Sequence, residues 1–311
     1  MQLIRLSVED SYTAERPAAV AIGNFDGFHL GHQAVVQAML DEAVKQGHAK
    51  AVLTFEPHPR RFFSATHAAF RLERLHDKLQ HLRSAGVGRL YIARFNAELS
   101  GLSAQAFVQD ILIKKLQARH VVTGTNFGFG KGRSGTVDTL SELLAQHGAT
   151  HERVAPVKAG HLTCSSTAVR EALEDSDMEK ASKILGRPYT LIARVQKGDQ
   201  RGRTLGYPTA NLHFPRELLL PKFGIYAVVV TVNGKFYKGV ANLGVRPMYR
   251  SELPLLEVHL FDMNADLYGQ KMRVQLMQRI RGEEMFANET ELKEQMANDC
   301  KIARVLLEQN A

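Results

Sequence analysis

The sequence predicts an α/β protein in two parts: a helix-covered parallel sheet over residues 1–186, then an antiparallel β-barrel with a C-terminal helix over 187–311. Three observations predict it. In the first part short apolar runs alternate with stretches of helical periodicity, and strands joined through helices must pair in parallel. Near Gly186-Arg187-Pro188 the pattern changes to closely spaced strand-like runs without intervening helices. Within that second part, Asn233-Gly234 between two such runs is a strong β-hairpin signal. A chain of 311 residues also suits two domains at roughly 100–200 residues each.

The first strand is placed at residues 20–25 (VAIGNF). A helix follows over 30–45, where Val35, Val36, Met39, Leu40 and Val44 recur at helical spacing. Residues 51–55, 90–95, 120–123 and the neighbourhood of 151–157 read as further strands, with helices over 75–85, 104–116 and 137–147 between them. In the second part, strands are expected at 190–195, 210–214, 225–232, 235–240, 256–260 and 272–278. Closing them into a barrel removes exposed strand edges. A last helix is expected over 289–309, with Asn288 as N-cap and Glu291 at the capping-box position.

Composition narrows the class. With 44% hydrophobic and 23% charged residues the chain is built to fold and is not a disordered one. No run approaches 18 consecutive apolar residues, so no membrane-spanning helix is expected. The N-terminus lacks an apolar signal core, and a cytoplasmic location is the expectation. Two cysteines, Cys164 and Cys300, exclude a disulfide scaffold or a four-cysteine zinc site. The net charge of +8 points to an anionic partner without separating nucleic acid from nucleotide phosphate. A nucleic-acid-binding barrel is disfavoured because tryptophan is absent and aromatics are only 7%, too few for stacking platforms.

The first strand runs into Gly23-Asn24-Phe25-Asp26-Gly27-Phe28-His29-Leu30-Gly31-His32, and then a helix opens. Ligands of parallel sheets sit at the carboxyl ends of strands, where glycines let the backbone approach a phosphate and a helix N-terminus favours an anion. His29 and His32, three apart, are expected on one helix face, able to stabilise charge on a transferring phosphoryl group. This H-x-G-H arrangement is that of the nucleotidyltransferase superfamily, so the sheet is expected to be nucleotidyltransferase-like. The same residues also allow a capping His29, a core His32, or a metal-binding pair. Zinc is disfavoured because no further His or Cys follows at ligand spacing.

A second polar loop, Thr163-Cys164-Ser165-Ser166-Thr167-Ala168-Val169-Arg170, also opens a helix. It reads as an anion site, or alone as an ordinary Ser/Thr cap. Gly130-Lys131-Gly132-Arg133-Ser134-Gly135 matches G-x-G-x-x-G but lies past its strand, so it is read as a mobile basic loop and not as a dinucleotide fingerprint. Residues 54–59 (TFEPHP) form a rigid turn ending the second strand, with His58 a candidate for ligand binding.

In the second part Gly198, Gly202 and Gly206, with Arg201 and Arg203, are suited to cradle phosphates. Thr209 and Asn211 point to one face of an extended segment and offer hard oxygens for Mg²⁺. Glu257, a carboxylate in an apolar strand, either faces solvent or stands inward beside this pair as a general base.

Together these segments resemble the bacterial bifunctional riboflavin kinase/FMN adenylyltransferases. The resemblance spans nearly the whole chain: GNFDGFHLGH at 23–32, TFEPHP at 54–59, GTNFGFGKGRSG at 124–135, SSTAVR at 165–170, GDQRGRTLGYPTANL at 198–212, GIYAV at 224–228, GVANLGVRP at 239–247, LEVHL at 256–260 and LYG at 267–269. It implies a riboflavin kinase-like barrel that makes FMN and a sheet domain that adenylylates it to FAD, both using ATP with Mg²⁺. It further implies that Gly23, Phe25, Asp26, His29, Gly31 and His32 meet the ATP phosphates, with Ser165, Ser166, Thr167 and Arg170 gripping them from the other side. Asn126 and His58 would help to hold substrate in the sheet domain. Thr209 and Asn211 would order Mg-ATP in the barrel and Glu257 would be its base. Two departures are Lys197, where the family often has His, and Met248 in place of a common Thr.

Overall fold

A computed structural model describes residues 1–64, 68–197, 205–245, 253–263 and 265–309. Gly198, Gly202, Arg203 and Met248 lie outside the described residues. The chain forms two compact units, one of Met1–His67 with Glu73–Ser165 and one of Ala68–Leu72 with Ser166–Ala311.

The first unit contains β1 (Gln2–Leu6), β2 (Ala18–Ile22), α1 (Leu30–Gln46), β3 (Ala49–Glu56), α2 (Pro59–Phe63), α3 (Leu75–Ser84) and β4 (Arg89–Arg94). It continues with α4 (Ala97–Gly101), α5 (Ala104–Ala106), which runs into a π-helix (Phe107–Lys115), β5 (Ala118–Gly124), α6 (Val137–Ala145) and β6 (Thr150–Val154). A small hairpin, β7 (Lys158–Ala159) and β8 (Leu162–Thr163), completes it. The main sheet has the order β1-β4-β3-β2-β5-β6, and every pairing is parallel.

Both faces of this sheet are covered. Val20, Leu53 and Val121 pack into one core with Ile111 and Leu140, while Ala21, Val52 and Val122 pack into the other with Val36, Met39 and Leu82. That is why these strands read as continuous apolar runs. Strand order reverses on either side of β2, so the crevice at its carboxyl end is the sheet's switch point.

Three details differ from expectation. Edge strand β1 was not anticipated, because QLIRL is largely exposed and carries little alternation. Strand β2 ends at Ile22, and Gly23 to Phe25 already belong to the turn. The helix expected over 104–116 is mostly a π-helix, a change of hydrogen-bond register that apolar periodicity does not report.

The second unit contains α7 (Ser166–Asp175), α8 (Met178–Leu185), β9 (Thr190–Arg194), β10 (Ala210–His213), β11 (Gly224–Val232), β12 (Lys235–Gly244), β13 (Leu255–Leu260), β14 (Lys271–Arg281) and α9 (Glu289–Gln309). Its antiparallel strands follow the order β10-β13-β12-β11-β14-β9. The bridge between Gln196 and Asn211 brings the two outer strands together, so the barrel nearly closes. Asn233 and Gly234 both have positive φ, as the expected tight hairpin requires. By packing, α7 and α8 go with the barrel, and Gly186, with φ of 70°, ends α8 just before the strands begin.

Helix α9 is capped as expected: Asn288 Oδ1 accepts from Glu291 N at 2.9 Å. Its Ala303 and Leu307 pack on Ala227, Val240 and Phe261. Arg281 of β14 reaches Asp299 through two hydrogen bonds of 2.9 and 2.7 Å, and Asp299 is 3% exposed. Asp299→Ala leaves that guanidinium without its main partner and is expected to cost about 3 kcal/mol. Urea unfolding measures this, and an unchanged midpoint would show that the pair contributes nothing.

Candidate active sites

In the first unit the turn after β2 is strained and then pinned. Phe25 and Phe28 adopt positive φ of 49° and 38°, which bulky residues hold only under constraint. The constraints come mainly from α3 and the segment before it. The Asn24 carbonyl accepts from Lys78 Nζ at 2.7 Å and from Thr54 Oγ1 at 3.2 Å. Glu73 accepts from Gly27 N at 3.1 Å through one oxygen and meets His81 Nδ1 at 2.8 Å through the other. His81 in turn stacks on Phe28. Lys78 is 3% exposed and also lies 3.6 Å from Glu56. This clamp was not anticipated. Its one legible signal is a lysine on the same helix face as Leu75 and Leu82, where a charge demands partners.

The turn delivers His29 to the N-terminus of α1. His29 is the N-cap, just before the helix and not on its face as expected, because its extended φ/ψ precede the first helical residue. Its Nδ1 accepts from His32 N at 3.3 Å, which leaves Nε2 as the N–H donor. The two imidazoles stack with centroids 3.7 Å apart and planes 24° from parallel. His32 also meets Phe25 edge-on at 5.2 Å. Capping and site geometry are therefore one arrangement. A Cβ on Gly31 would lie 2.9 Å from the Cys164 carbonyl and 3.1 Å from the His29 ring, so glycine is what lets the helix start approach. Asp26 is buried at 3% exposure, Phe25 is fully buried, and Gly23 lies against the Phe25 ring.

Other predicted residues take varied places. His58 caps α2, its Nδ1 accepting from Arg60 N at 3.1 Å, directly after the cis Glu56–Pro57 bond. Asn126 is exposed just beyond the carboxyl end of β5. Ser165 ends the first unit, whereas Ser166, Thr167 and Arg170 open α7 in the second. Arg170 Nε donates to the Phe70 carbonyl at 2.8 Å. The 130–135 segment is pinned, contrary to the expected mobile loop. Phe129 and Gly135 exchange two backbone hydrogen bonds, Lys131 N donates to Leu102 O at 2.7 Å, and Gly130 and Gly132 serve left-handed turns.

In the barrel, strand register decides the geometry. Asn211 of β10 stands opposite Glu257 of β13, and Ala210 opposite Val258. Ala210, Val258, Ala241 and Tyr226 share one apolar face through successive pairings. Glu257 and Asn211 share the other, the face on which Ala227 and Val240 meet α9. Glu257 thus stands beside the Thr209/Asn211 segment as expected, but it points away from the barrel interior. Asn211 is 5% exposed and its Oδ1 is buried without a hydrogen-bond partner. A cavity of about 400 Å³ opens beside Thr209, lined also by Pro208, Leu260, Asp266, Leu267 and Tyr268. Gly206, at φ of 87°, turns the chain just ahead of this segment. Lys197 lies over the Tyr268 ring at 5.9 Å.

A parallel sheet with paired histidines at its switch point, and a barrel with an amide–carboxylate pair, describe a two-site transferase working on nucleotide phosphates. The family model for FAD synthetase matches residues 11–168 and that for riboflavin kinase matches 185–307. The chain belongs to the bifunctional riboflavin kinase/FMN adenylyltransferase family. Curated members of that name include one from Escherichia coli strain K12, 39% identical over 98% of this chain and 97% of the relative. Those from Haemophilus influenzae and Bacillus subtilis are each 37% identical, over 98% and 91% of this chain and 98% and 90% of theirs. A solved structure described as a macrolide-efflux protein from Streptococcus pneumoniae shares the fold at a TM-score of 0.88 and 28% identity, covering 98% of this chain and 99% of that one. Among the described residues no helix here is long and apolar enough to cross a membrane.

Proposed function

We propose that the chain makes FAD from riboflavin in two transfers, each at its own site. In the barrel, the riboflavin 5′-hydroxyl attacks the γ-phosphate of ATP and Glu257 takes its proton, giving FMN and ADP. A hydroxyl is a weak nucleophile, so a base has a defined task. The observation that carries this reading is the register pairing of Glu257 with Asn211 on one strand face. Thr209 and Asn211 supply oxygens for Mg²⁺, and the partnerless Oδ1 of Asn211 fits such a role. Bound there, the cation neutralises phosphate charge. Gly198, Gly202, Arg203 and Gly206 contribute to phosphate binding in the barrel.

In the sheet domain the FMN phosphate attacks the α-phosphate of a second ATP, and pyrophosphate leaves. That nucleophile is already anionic, so no base is needed. The task is to position two anions and offset their repulsion. The stacked His29 and His32 at the start of α1 carry this reading. Asp26, Gly23, Phe25 and Gly31 shape the turn that presents them. Ser165, with Ser166, Thr167 and Arg170 at the start of α7, binds phosphate; Asn126 and His58 hold FMN. The +8 charge then serves small anions and requires no nucleic-acid partner. ATP as substrate and two unpaired cysteines fit a cytoplasmic enzyme.

Incubation with riboflavin, ATP and Mg²⁺, followed by separation of the flavins, is expected to show both FMN and FAD. Formation of neither would overturn the assignment. Lys78→Met removes the cation under the Asn24 carbonyl and is expected to slow adenylylation about tenfold, one unit of the logarithmic scale on which ~1.4 kcal/mol is lost. FMN formation by the same preparation should not change. Equal loss of both steps would mean that Lys78 serves only general stability.

A further inference from the structure

We propose that Asn242 supplies a further oxygen to the cation site of the kinase barrel. The proposal rests on the kinase reading above.

Strand β12 sets Asn242 directly opposite Glu257, and Glu257 is directly opposite Asn211 on its other side. The three side chains therefore form one row across β12, β13 and β10, on one face, with the carboxylate in the middle. Directly opposed residues of antiparallel strands have Cβ atoms about 4.5–5.5 Å apart, so each asparagine is an immediate neighbour of Glu257.

The chemistry of that row is one-sided. Asn242 Oδ1 and Asn211 Oδ1 are both buried, and neither accepts a hydrogen bond. Two amide oxygens without a hydrogen-bond partner thus stand on the strands either side of Glu257. Leaving a buried acceptor unmet is costly, so each of these oxygens calls for a partner. An amide that served structure alone would turn its oxygen toward a backbone N–H. A hard divalent cation satisfies both amide oxygens at once, because oxygens of this kind are its preferred ligands.

The supports are rigid. Asn242 lies in the middle of a ladder, paired with Ile225 on one side and Glu257 on the other. Asn211 is fixed where the barrel closes, its carbonyl accepting from Gln196 N at 2.9 Å. A site built on such strands holds its oxygens in place before any ligand arrives. Asn242 does not belong to the PTAN segment from which Thr209 and Asn211 come, and it reaches the row only through strand pairing.

Manganese, with its paramagnetic signal, reports the cation directly. Full-length protein with ADP and riboflavin is titrated with Mn²⁺, and free metal is read by electron paramagnetic resonance. Asn242→Leu, apolar and of similar size, is expected to weaken the barrel-bound Mn²⁺ about 10–100-fold and to raise the Mg²⁺ needed for half-maximal FMN formation by a similar factor. Adenylylation of supplied FMN should be unaltered. Asn242→Asp, which keeps a hard oxygen, should retain the metal. If the leucine variant fails to fold, both activities vanish together, and Asn242→Ser then reads the same two quantities. Wild-type Mn²⁺ binding and an unchanged Mg²⁺ requirement in the leucine or serine variant would overturn the proposal. Failure of the kinase reading is a separate outcome: Glu257→Gln would go on making FMN whatever Asn242 does.

Discussion

Glu257→Gln is expected to abolish FMN formation from riboflavin while supplied FMN is still converted to FAD. Glutamine has the shape of glutamate and keeps the strand pairing with Asn211 and Asn242 intact, but it cannot accept the hydroxyl proton. A positioned base contributes about 10²–10⁴-fold, so the loss should lie in that range. It should appear in kcat, because the substrate still docks and only the transition state loses a partner. Flavins separated after reaction with riboflavin and ATP give the first number, and a parallel reaction started from FMN gives the second. Undiminished FMN formation would remove Glu257 from the chemistry, and loss of FAD formation from supplied FMN as well would point to unfolding.

His32→Ala should produce the opposite pattern, with riboflavin halting at FMN. Removing one preorganised donor from a site that stabilises phosphoryl charge costs about 10²–10³ in rate. His29→Ala should cost a similar factor and, in addition, about 1 kcal/mol of stability, because His29 also caps α1. The two variants thus separate chemistry from capping: thermal unfolding should fall for His29→Ala more than for His32→Ala. If both histidine variants and Glu257→Gln failed at the same step, two independent sites would be untenable.

Much of the chain is legible in its sequence. The strand-to-helix runs around β2 and α1, the Asn233-Gly234 hairpin and the Asn288/Glu291 cap all took the expected form, because each is a local rule of periodicity or turn chemistry. The glycines of the 23–32 turn and the two histidines were legible for the same reason. Where local rules failed, neighbours distant in sequence had intervened. Edge strand β1 is defined by its parallel pairing with β4, more than 80 residues on. Lys78 acquires meaning only because Asn24 lies 54 residues back. The pinned 130–135 turn is held partly by Leu102, which no reading of its own glycines would suggest.

The sequence by itself determined the two-part α/β architecture, the histidine-bearing turn and the residue types suited to phosphate chemistry. Period and composition act over a few residues, and those features are local. Only the tertiary structure decided that His29 stacks on His32 as a cap, and that a buried lysine holds the turn against its strained dihedrals. Only strand register decided that Glu257 points away from the barrel interior, between two asparagines from separate strands. Register is fixed by hydrogen bonds between strands far apart in the chain. One residue of slippage would turn every one of those side chains to the opposite face.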